Sequence, residues 1–278
     1  MGDIFQPPEG LVEAINSALH LRRPLLITGD PGSGKSTVID SIASELQLGR
    51  VLRWHITSRS ILDDALYRYD VLGRVHAQQL PNEQDRDDIA SFLQLGPLGT
   101  ALLPHDHPRA LLIDEFDKGD FDLPGDLLDV LERGEYEIKE LARHKEPMIE
   151  IREWGSNIVH PIHRGLVTCR SFPVIVITSN GERDFPAPFL RRCVRFHMPK
   201  PTPEFLHAVV RAHLGSEISE GDSASNIIET FLERLRSGDL VAIDQLLNAV
   251  YLLTSPEAPP AQLRKDVQDL LLRELTRT

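Results

Sequence analysis

Short, mainly apolar runs are spaced along the first two-thirds of the chain. The longer runs occupy residues 25–28, 51–56, 110–115 and 174–180. Runs of this length are typical of strands that are buried on both faces of a parallel sheet. Apolar residues recur at helical spacing on either side of the first run, at 11–19 and from Thr37 onward. The pattern therefore predicts an α/β domain around a central parallel sheet, with 194–196 as an edge strand.

The middle of the chain follows a different pattern. Between residues 134 and 173, several short segments alternate apolar and polar residues, which predicts hairpin strands with a loop at 154–164. Helical spacing fits 61–69, whereas the glycines and proline at 96–99 predict a loop. Residues 82–88 read as a polar, acidic surface stretch.

A proline-rich stretch at 199–203 is the clearest domain boundary. Four helical patterns follow it, at 203–214, 223–236, 240–253 and 259–275. We therefore expect two domains, an α/β domain over 1–200 and a small all-helical domain over 201–278.

The strongest chemical motif follows the first apolar run. It consists of Gly29, Asp30, Pro31, Gly32, Ser33, Gly34, Lys35, Ser36 and Thr37. This is the complete phosphate-loop pattern, in which glycines let backbone N–H groups converge on an anion. Lys35 would reach the β- and γ-phosphates, and the Ser36 hydroxyl would bind Mg²⁺. A chance glycine-rich turn is the weaker alternative, because a strand precedes the motif and a helix follows it. The sequence thus predicts a site for a nucleoside triphosphate.

Two adjacent carboxylates, Asp114 and Glu115, end the third run. Strand alternation sends such neighbours in different directions. Asp114 would help to bind the nucleotide by holding Mg²⁺ through water, and Glu115 would act as general base on the attacking water. The alternative is a polar strand end without chemistry, and the preceding phosphate loop makes it less attractive.

Three further polar side chains follow the last long run. Asn180 ends that run, where its amide could hydrogen-bond the γ-phosphate or the attacking water. Arg191 and Arg192 lie between apolar residues, and arginine can stabilise a transferring phosphoryl group from a neighbouring subunit. A surface salt-bridge pair explains the two arginines equally well on local evidence, so both alternatives stay open.

Composition narrows the classes of partner. The net charge is −12 and the pI is about 5.4, without a long Lys/Arg run, which disfavours nucleic acid and anionic membranes as partners. Apolar stretches are too short for a membrane segment, so we expect a cytoplasmic protein. Cys169 and Cys193 lack metal-ligand spacing and are expected to be packing thiols. The His105–His107 cluster is expected to be a solvated loop rather than a metal site.

The order of these motifs resembles the AAA+ ATPases, and in particular their MoxR branch. The resemblance is carried by the phosphate loop, the Asp-Glu strand end, Thr178-Ser179-Asn180, Phe189-Leu190-Arg191-Arg192-Cys193 and the terminal helices. Residues 67–70 and 178–186 resemble the MoxR-type ATPases found beside von Willebrand A-type partners in bacterial multi-gene systems. The resemblance implies a P-loop AAA+ fold with a hairpin insertion at 134–173 and a helical lid.

The family's roles can be carried over by position. They fall on the Walker A residues Lys35 and Ser36, the Walker B residues Asp114 and Glu115, the sensor 1 residue Asn180 and the trans-acting arginines Arg191 and Arg192. The resemblance further implies ATP, ADP and Mg²⁺ as ligands and a homo-oligomer, typically a hexameric ring, that acts on a protein partner.

One departure from the family pattern concerns the lid. Residues 238–244 contain no sensor 2 arginine, although Arg234 or Arg236 could substitute. We therefore expect an ATPase that remodels or regulates a protein partner, with a nucleotide-gated scaffold of low turnover as the alternative. A small-molecule kinase would need an acceptor pocket, and a GTPase is disfavoured because the chain has no Asn-Lys-x-Asp segment.

Overall fold

The computed structural model describes residues 5–77, 89–214, 223–237, 239, 241–254 and 258–272. The predicted polar stretch at 82–88 lies outside the described residues. So do residues 238 and 240 of the lid segment, 255–257, and the end of the last predicted helix beyond 272.

Five parallel strands form the predicted central sheet. Their bounds are β1 Leu25–Thr28, β2 Leu52–His55, β5 Ala110–Asp114, β10 Val174–Ser179 and β11 Val194–His197. Across the sheet they lie in the order β11–β1–β10–β5–β2. Successive apolar residues enter two different cores: Leu25 and Ile27 pack on one face, and Leu26 packs on the other. Burial on both faces explains the nearly continuous apolar runs. The edge position predicted for β11 is confirmed.

The first two helices of this part of the chain lie where the helical spacing predicts them, and the third covers the beginning of the predicted segment 61–69. Their bounds are α1 Leu11–Leu21, α2 Val38–Glu45, α3 Leu62–Leu66, α4 Val71–Ala77, α5 Pro97–Ala101, α6 Leu123–Arg133, α7 Lys139–Ala142 and α8 Ala187–Leu190. Short 3₁₀ turns occur at Lys35–Thr37, Ile89–Phe92 and Phe116–Lys118.

The predicted hairpins belong to a second, six-stranded sheet. Its strands are β3 Tyr67–Tyr69, β4 Leu93–Leu95, β6 Glu135–Glu137, β7 Met148–Arg152, β8 Val159–His163 and β9 Leu166–Thr168. Across the sheet they lie in the order β3–β4–β7–β8–β9–β6. The prediction of a loop over 154–164 is therefore wrong in part. Pro161 and two histidines interrupt the hydrophobic alternation of β8, although Ile162 is buried.

Two further expectations are corrected. Residues 96–99 belong largely to α5, and 67–69 form a strand rather than the end of a helix. The glycines of this segment serve close packing: a Cβ atom at Gly96 would collide with the main chain of Ala65, and one at Gly99 with that of Leu66. Sequence alone does not distinguish such contact glycines from turn glycines.

The C-terminal helices have a hydrophobic core of their own. They are α9 Pro203–Leu214, α10 Ser223–Ser237, α11 Ile243–Thr254 and α12 Ala261–Leu271. Phe231, Leu246 and Val250 are fully buried in this core, as the helical spacing predicts. Within the described residues, α11 begins at Ile243, later than the predicted start at 240. At this start, the side chain of Gln245 accepts a hydrogen bond from the Ala242 N–H.

Candidate functional site

The phosphate loop connects β1 to α2 at the carboxyl edge of the central sheet, where the parallel strands end. Gly32 and Gly34 have φ angles of 70° and 81°, in the left-handed region that glycine tolerates best. The Lys35 side chain turns back into the loop, and its Nζ donates hydrogen bonds to the carbonyl oxygens of Gly29 and Asp30, at 2.8 and 2.7 Å. Burial lowers the pKa of the Lys35 ammonium, although nearby carboxylates oppose the effect.

Ser36 and Asp114 meet at this edge, as their predicted roles require. The Ser36 hydroxyl donates to Asp114 Oδ1 over 2.7 Å. The same oxygen accepts a 2.6 Å hydrogen bond from the hydroxyl of Thr178, at the end of the neighbouring strand β10. Thr178 Oγ1 also accepts the main-chain N–H of Glu115 over 2.9 Å. One buried threonine therefore fixes both acidic residues, a role that the sequence analysis did not assign.

Glu115 is oriented by the end of the strand rather than by strand alternation. Strand β5 ends at Asp114, and Glu115 has a left-handed φ of 56°, which is uncommon for a non-glycine residue. Its carboxylate accepts a hydrogen bond from Lys118 Nζ at 2.8 Å and lies 3.4 Å from His55 Nε2. The hydrogen bond to Glu115 raises the pKa of Lys118. The two carboxylates thus accept hydrogen bonds from different side chains, but His55 lies close to both, with its Nδ1 3.8 Å from Asp114 Oδ2.

Asn180 lies at the same edge, with its main chain held by Asp117. The N–H groups of Asn180 and Glu182 both donate to Asp117 Oδ2, each over 3.0 Å. Asp117 is only 5% exposed, and its Oδ1 atom has no hydrogen-bond partner within the described residues. The Asn180 amide group itself has no side-chain hydrogen bond within the same residues. Asp117 was not among the predicted site residues.

Three aromatic rings connect the Glu115 turn to the arginine segment. Phe116 stacks on Phe185 with ring centroids 5.5 Å apart, and it contacts Phe189 with centroids 5.3 Å apart. Because Phe189 belongs to α8, which ends just before Arg191, this packing links the Walker B turn to the two arginines.

The two arginines have different surroundings. Arg192 pairs with Glu132 of α6 and also donates to the carbonyl oxygen of Pro188. Arg191 is exposed, and its guanidinium has no hydrogen bond or ion pair within the described part of the chain. The predicted surface salt bridge therefore exists for Arg192, and Arg191 is the arginine that remains available.

The C-terminal helices contact the phosphate loop directly. The Ile243 N–H donates to the Gly32 carbonyl oxygen at 3.1 Å, and a Cβ atom at Gly32 would collide with Ala242. The lining of a small cavity of about 70 Å³ between the loop and these helices combines apolar residues with the polar side chains of Asp30, Ser33, Lys200 and Asp239. Arg234 is engaged inside the lid, where it donates to the Leu272 carbonyl oxygen and pairs with Asp269.

The histidine cluster is only partly solvated. His107 is exposed, but His105 is half-buried and packs edge-on against His160, with ring centroids 5.4 Å apart. Burial lowers the pKa of His105. The expectation of a solvated loop is therefore wrong for His105. The described residues contain no group of three or more His, Cys, Asp or Glu side chains that could hold a metal ion.

The same residues include no helix that is long and apolar enough to cross a membrane. Both cysteines are free; burial raises the pKa of Cys169, and it raises that of Cys193 to about 12. Such thiols are poorly reactive, in agreement with the expected packing role.

Comparison with known proteins places this edge in a family context. A model described as AAA domain (dynein-related subfamily) matches residues 24–180, more than half of the chain. Curated proteins give no match. Among solved structures, the chain is similar to NtrX from Brucella abortus in complex with ADP, with 15% sequence identity and a TM-score of 0.45. The similarity covers 90% of this chain and 51% of that one, so the chain spans about half of that protein's length.

Proposed function

Because the chain belongs to the AAA domain family (dynein-related subfamily), we propose that it binds ATP and ADP with Mg²⁺ and hydrolyses ATP at the carboxyl edge of the central sheet. The observation that carries the proposal is the 2.7 Å contact between Ser36 and Asp114 beside the buried Lys35 ammonium. A hydroxyl, a carboxylate and an ammonium converge here from two strand ends, as phosphoryl transfer requires.

The residues at this edge fit a magnesium nucleotide. Ser36 and Asp114 supply hard oxygen ligands side by side, which suits Mg²⁺ with phosphate and water as its other ligands. The Ser33 hydroxyl is buried without a hydrogen-bond partner among the described residues, in the loop where a phosphate oxygen would lie. A bound Mg²⁺ would neutralise phosphate charge, and Lys35 would exchange its carbonyl partners for phosphate oxygens.

Hydrolysis would use the polar groups around Asp114. Glu115 would accept the proton of the attacking water, after its carboxylate leaves Lys118. Asn180 would orient the same water or the γ-phosphate through its amide, held in place by Asp117. Thr178 would keep both acidic residues in register through its shared hydroxyl.

We further propose that Arg191 completes the site of a neighbouring subunit, in a ring that the MoxR resemblance makes hexameric. Its exposed and unpaired guanidinium supports this role, whereas Arg192 is already engaged with Glu132. In this proposal residues 1–200 form the nucleotide-binding domain, 201–278 form a lid, and turnover remodels or regulates a protein partner. The resemblance makes a von Willebrand A-type protein the first partner to test.

A nucleotide-gated scaffold is the second candidate. It is favoured by the engagement of Arg234 with Leu272 and Asp269, because Arg234 is one of the two arginines that could substitute for the missing sensor 2 residue. A scaffold of this kind would bind ATP and assemble with little hydrolysis. It would share the nucleotide site but not the role of Glu115.

Phosphate release and light-scattering mass, both with Mg²⁺ and ATP, test these proposals on wild type and Glu115→Gln. We expect Glu115→Gln to keep nucleotide affinity and to lose at least about a hundredfold in turnover. Glu150→Gln, on the exposed face of β7, is the matched control and should equal wild type. Equal turnover in Glu115→Gln would remove Glu115 from its role, and ATP-dependent assembly without wild-type turnover would favour the scaffold.

Mixed assemblies test the arginine. Arg191→Ala alone should be inactive, and mixing it with Glu115→Gln should restore turnover, because each variant supplies what the other lacks. Arg192→Ala serves as the comparison and should retain more activity. Absence of rescue would contradict a role of Arg191 in a neighbouring site.

A further inference from the structure

A cavity of about 280 Å³ lies at the amino edge of the central sheet, opposite the phosphate loop. It opens where β1 and β10 begin, and α1 and α2 close its sides. None of the residues assigned above to nucleotide binding or hydrolysis lines it. The cavity is therefore a feature separate from the candidate ATP site.

The floor of this cavity is apolar and rigidly built. Ala18, Leu25, Ile42 and Val176 line it, and each is at most 7% exposed. With a share of about 30 Å³ for each water in the liquid, the volume equals about nine waters, or one small organic molecule. Water in such a space finds few hydrogen-bond partners on the floor, so an apolar body would displace it favourably.

All the charged side chains that line the cavity are positive. Arg22, Arg23 and Arg170 line the cavity together with uncharged residues, although the whole chain carries a net charge of −12. Arg170 pairs with Asp106 at 2.6 Å, but both side chains are more than two-thirds exposed, and ion pairs of that kind contribute little. Arg23 donates to the Arg191 carbonyl oxygen, a neutral partner. Of the three guanidinium groups, those of Arg22 and Arg23 therefore have no carboxylate partner within the described residues.

Arg22 lies at the cavity in a backbone conformation that favours glycine. It ends α1 with a left-handed φ of 52°, at the position where helices most often have glycine. Its guanidinium has no hydrogen bond or ion pair within the described part of the chain. Arg22 therefore places a cationic side chain at the cavity from a strained backbone position, and no hydrogen bond or ion pair of the described residues explains its presence there.

We propose that this cavity binds a small organic anion, with an alkyl chain or a single ring on the apolar floor and a carboxylate or phosphate group against the arginines. Arginine forms charge-assisted, bidentate hydrogen bonds with either head group. The site needs both parts, because the floor supplies no polar partner and the arginines supply no apolar enclosure.

Calorimetric titration of the full chain with octanoate, octyl phosphate and octanol tests the site. We expect saturable binding of one octanoate or octyl phosphate per chain, and binding of octanol at least about tenfold weaker, because an alcohol forms no charge-assisted bond. The tighter of the two anions identifies the head group. Absence of saturable binding by both anions, or equal affinity for octanol, would overturn the proposal.

The variants separate binding from folding. Arg22→Gly should raise Tm by about 2 °C, since glycine tolerates the left-handed backbone, yet weaken anion binding about tenfold. Ala18→Leu should fill the cavity and abolish binding with every arginine in place. Arg211→Gln, an exposed residue on α9, is the charge-matched control and should bind like wild type. Wild-type anion affinity in both Arg22→Gly and Ala18→Leu would refute the site.

Discussion

The three inner strands of the parallel sheet, β1, β5 and β10, are buried on both faces and have their polar side chains at the carboxyl end, whereas the second, six-stranded sheet (the mixed sheet) has polar side chains along an exposed face. In the mixed sheet, Met148, Glu150 and Arg152 alternate with buried Ile149 and Ile151. Their surroundings are solvent, so few atoms constrain them. At the carboxyl edge of the parallel sheet, by contrast, Asp114 Oδ1 alone accepts hydrogen bonds from two hydroxyl groups.

The difference teaches where substitutions should matter. A residue at the parallel edge is held by partners from other strands, so replacing it disturbs several atoms together. A residue on the exposed face of the mixed sheet has few such partners, so replacing it should have little effect. Replacements in the tight turns or on the buried face of that sheet should still reduce stability. The four predictions below test this contrast, in order of decreasing effect.

Lys35→Ala should cost the most. We expect ATP affinity to fall at least about a hundredfold, or about 2.7 kcal/mol, because the variant removes the ammonium that would contact the phosphates. Titration with a fluorescent ATP analogue measures the change. Lys145→Ala, an exposed lysine before β7 of the mixed sheet, is the control and should bind normally. An affinity loss below threefold in Lys35→Ala would place the nucleotide elsewhere.

Gly165→Ala tests a tight turn of the mixed sheet. Its φ is 74°, and an added Cβ atom would collide with the Ile138 carbonyl oxygen and lie 2.9 Å from the Ala142 nitrogen. The free energy of unfolding, from chemical denaturation, should fall by about 2 kcal/mol. Gly49→Ala has a matched φ of 73° but open space, and should lose only about 1 kcal/mol. Equal losses would assign the whole effect to backbone strain.

Asp117→Asn returns to the parallel edge with a smaller expected effect. The variant keeps the size of the side chain but removes the charge that accepts the N–H groups of Asn180 and Glu182. We expect kcat to fall about tenfold, or about 1.4 kcal/mol, with KM for ATP nearly unchanged. Steady-state kinetics separate the two constants, and Asp129→Asn on α6 controls for the loss of an exposed carboxylate. A change in KM alone would contradict a positioning role.

Met148→Lys should have the smallest effect. The side chain is 57% exposed, so the free energy of unfolding should change by less than about 0.5 kcal/mol. Its neighbour Ile149 is 8% exposed, and Ile149→Lys should be strongly destabilising because it buries a charge. Thermal denaturation of the two variants measures the contrast directly. A large loss in Met148→Lys would mean that the exposed face is covered in solution.

The parallel sheet was predictable because its inner strands β1, β5 and β10 are buried on both faces and leave apolar runs in the sequence. The strand Val159–His163 was not, since Pro161 breaks the alternation that usually marks a half-buried strand. Helix α5 was missed for a related reason: the glycines of its segment allow close packing of neighbouring backbones, and a sequence pattern equates them with turn formers.

The candidate site divides in the same way. Ser36 and Asp114 were each predicted from their motifs to hold Mg²⁺, and the structure places their side-chain oxygens 2.7 Å apart. Asp117 was missed because its partners, the N–H groups at 180 and 182, lie more than sixty residues away in sequence. A side chain that accepts main-chain N–H groups leaves no residue pattern at its partners, since any amino acid except proline supplies the donor.

The contact between Ile243 and Gly32 has a consequence for timing. If the C-terminal helices form the lid proposed above, this main-chain hydrogen bond would have to break before a nucleotide enters or leaves. The connection between the two proposed domains contains Pro199, Pro201 and Pro203, whose rings restrict backbone rotation, so it would be a stiff hinge. The residence time of a bound nucleotide would then depend on the rate at which this hinge opens. A partner that binds the lid would therefore control the rate of the ATPase cycle.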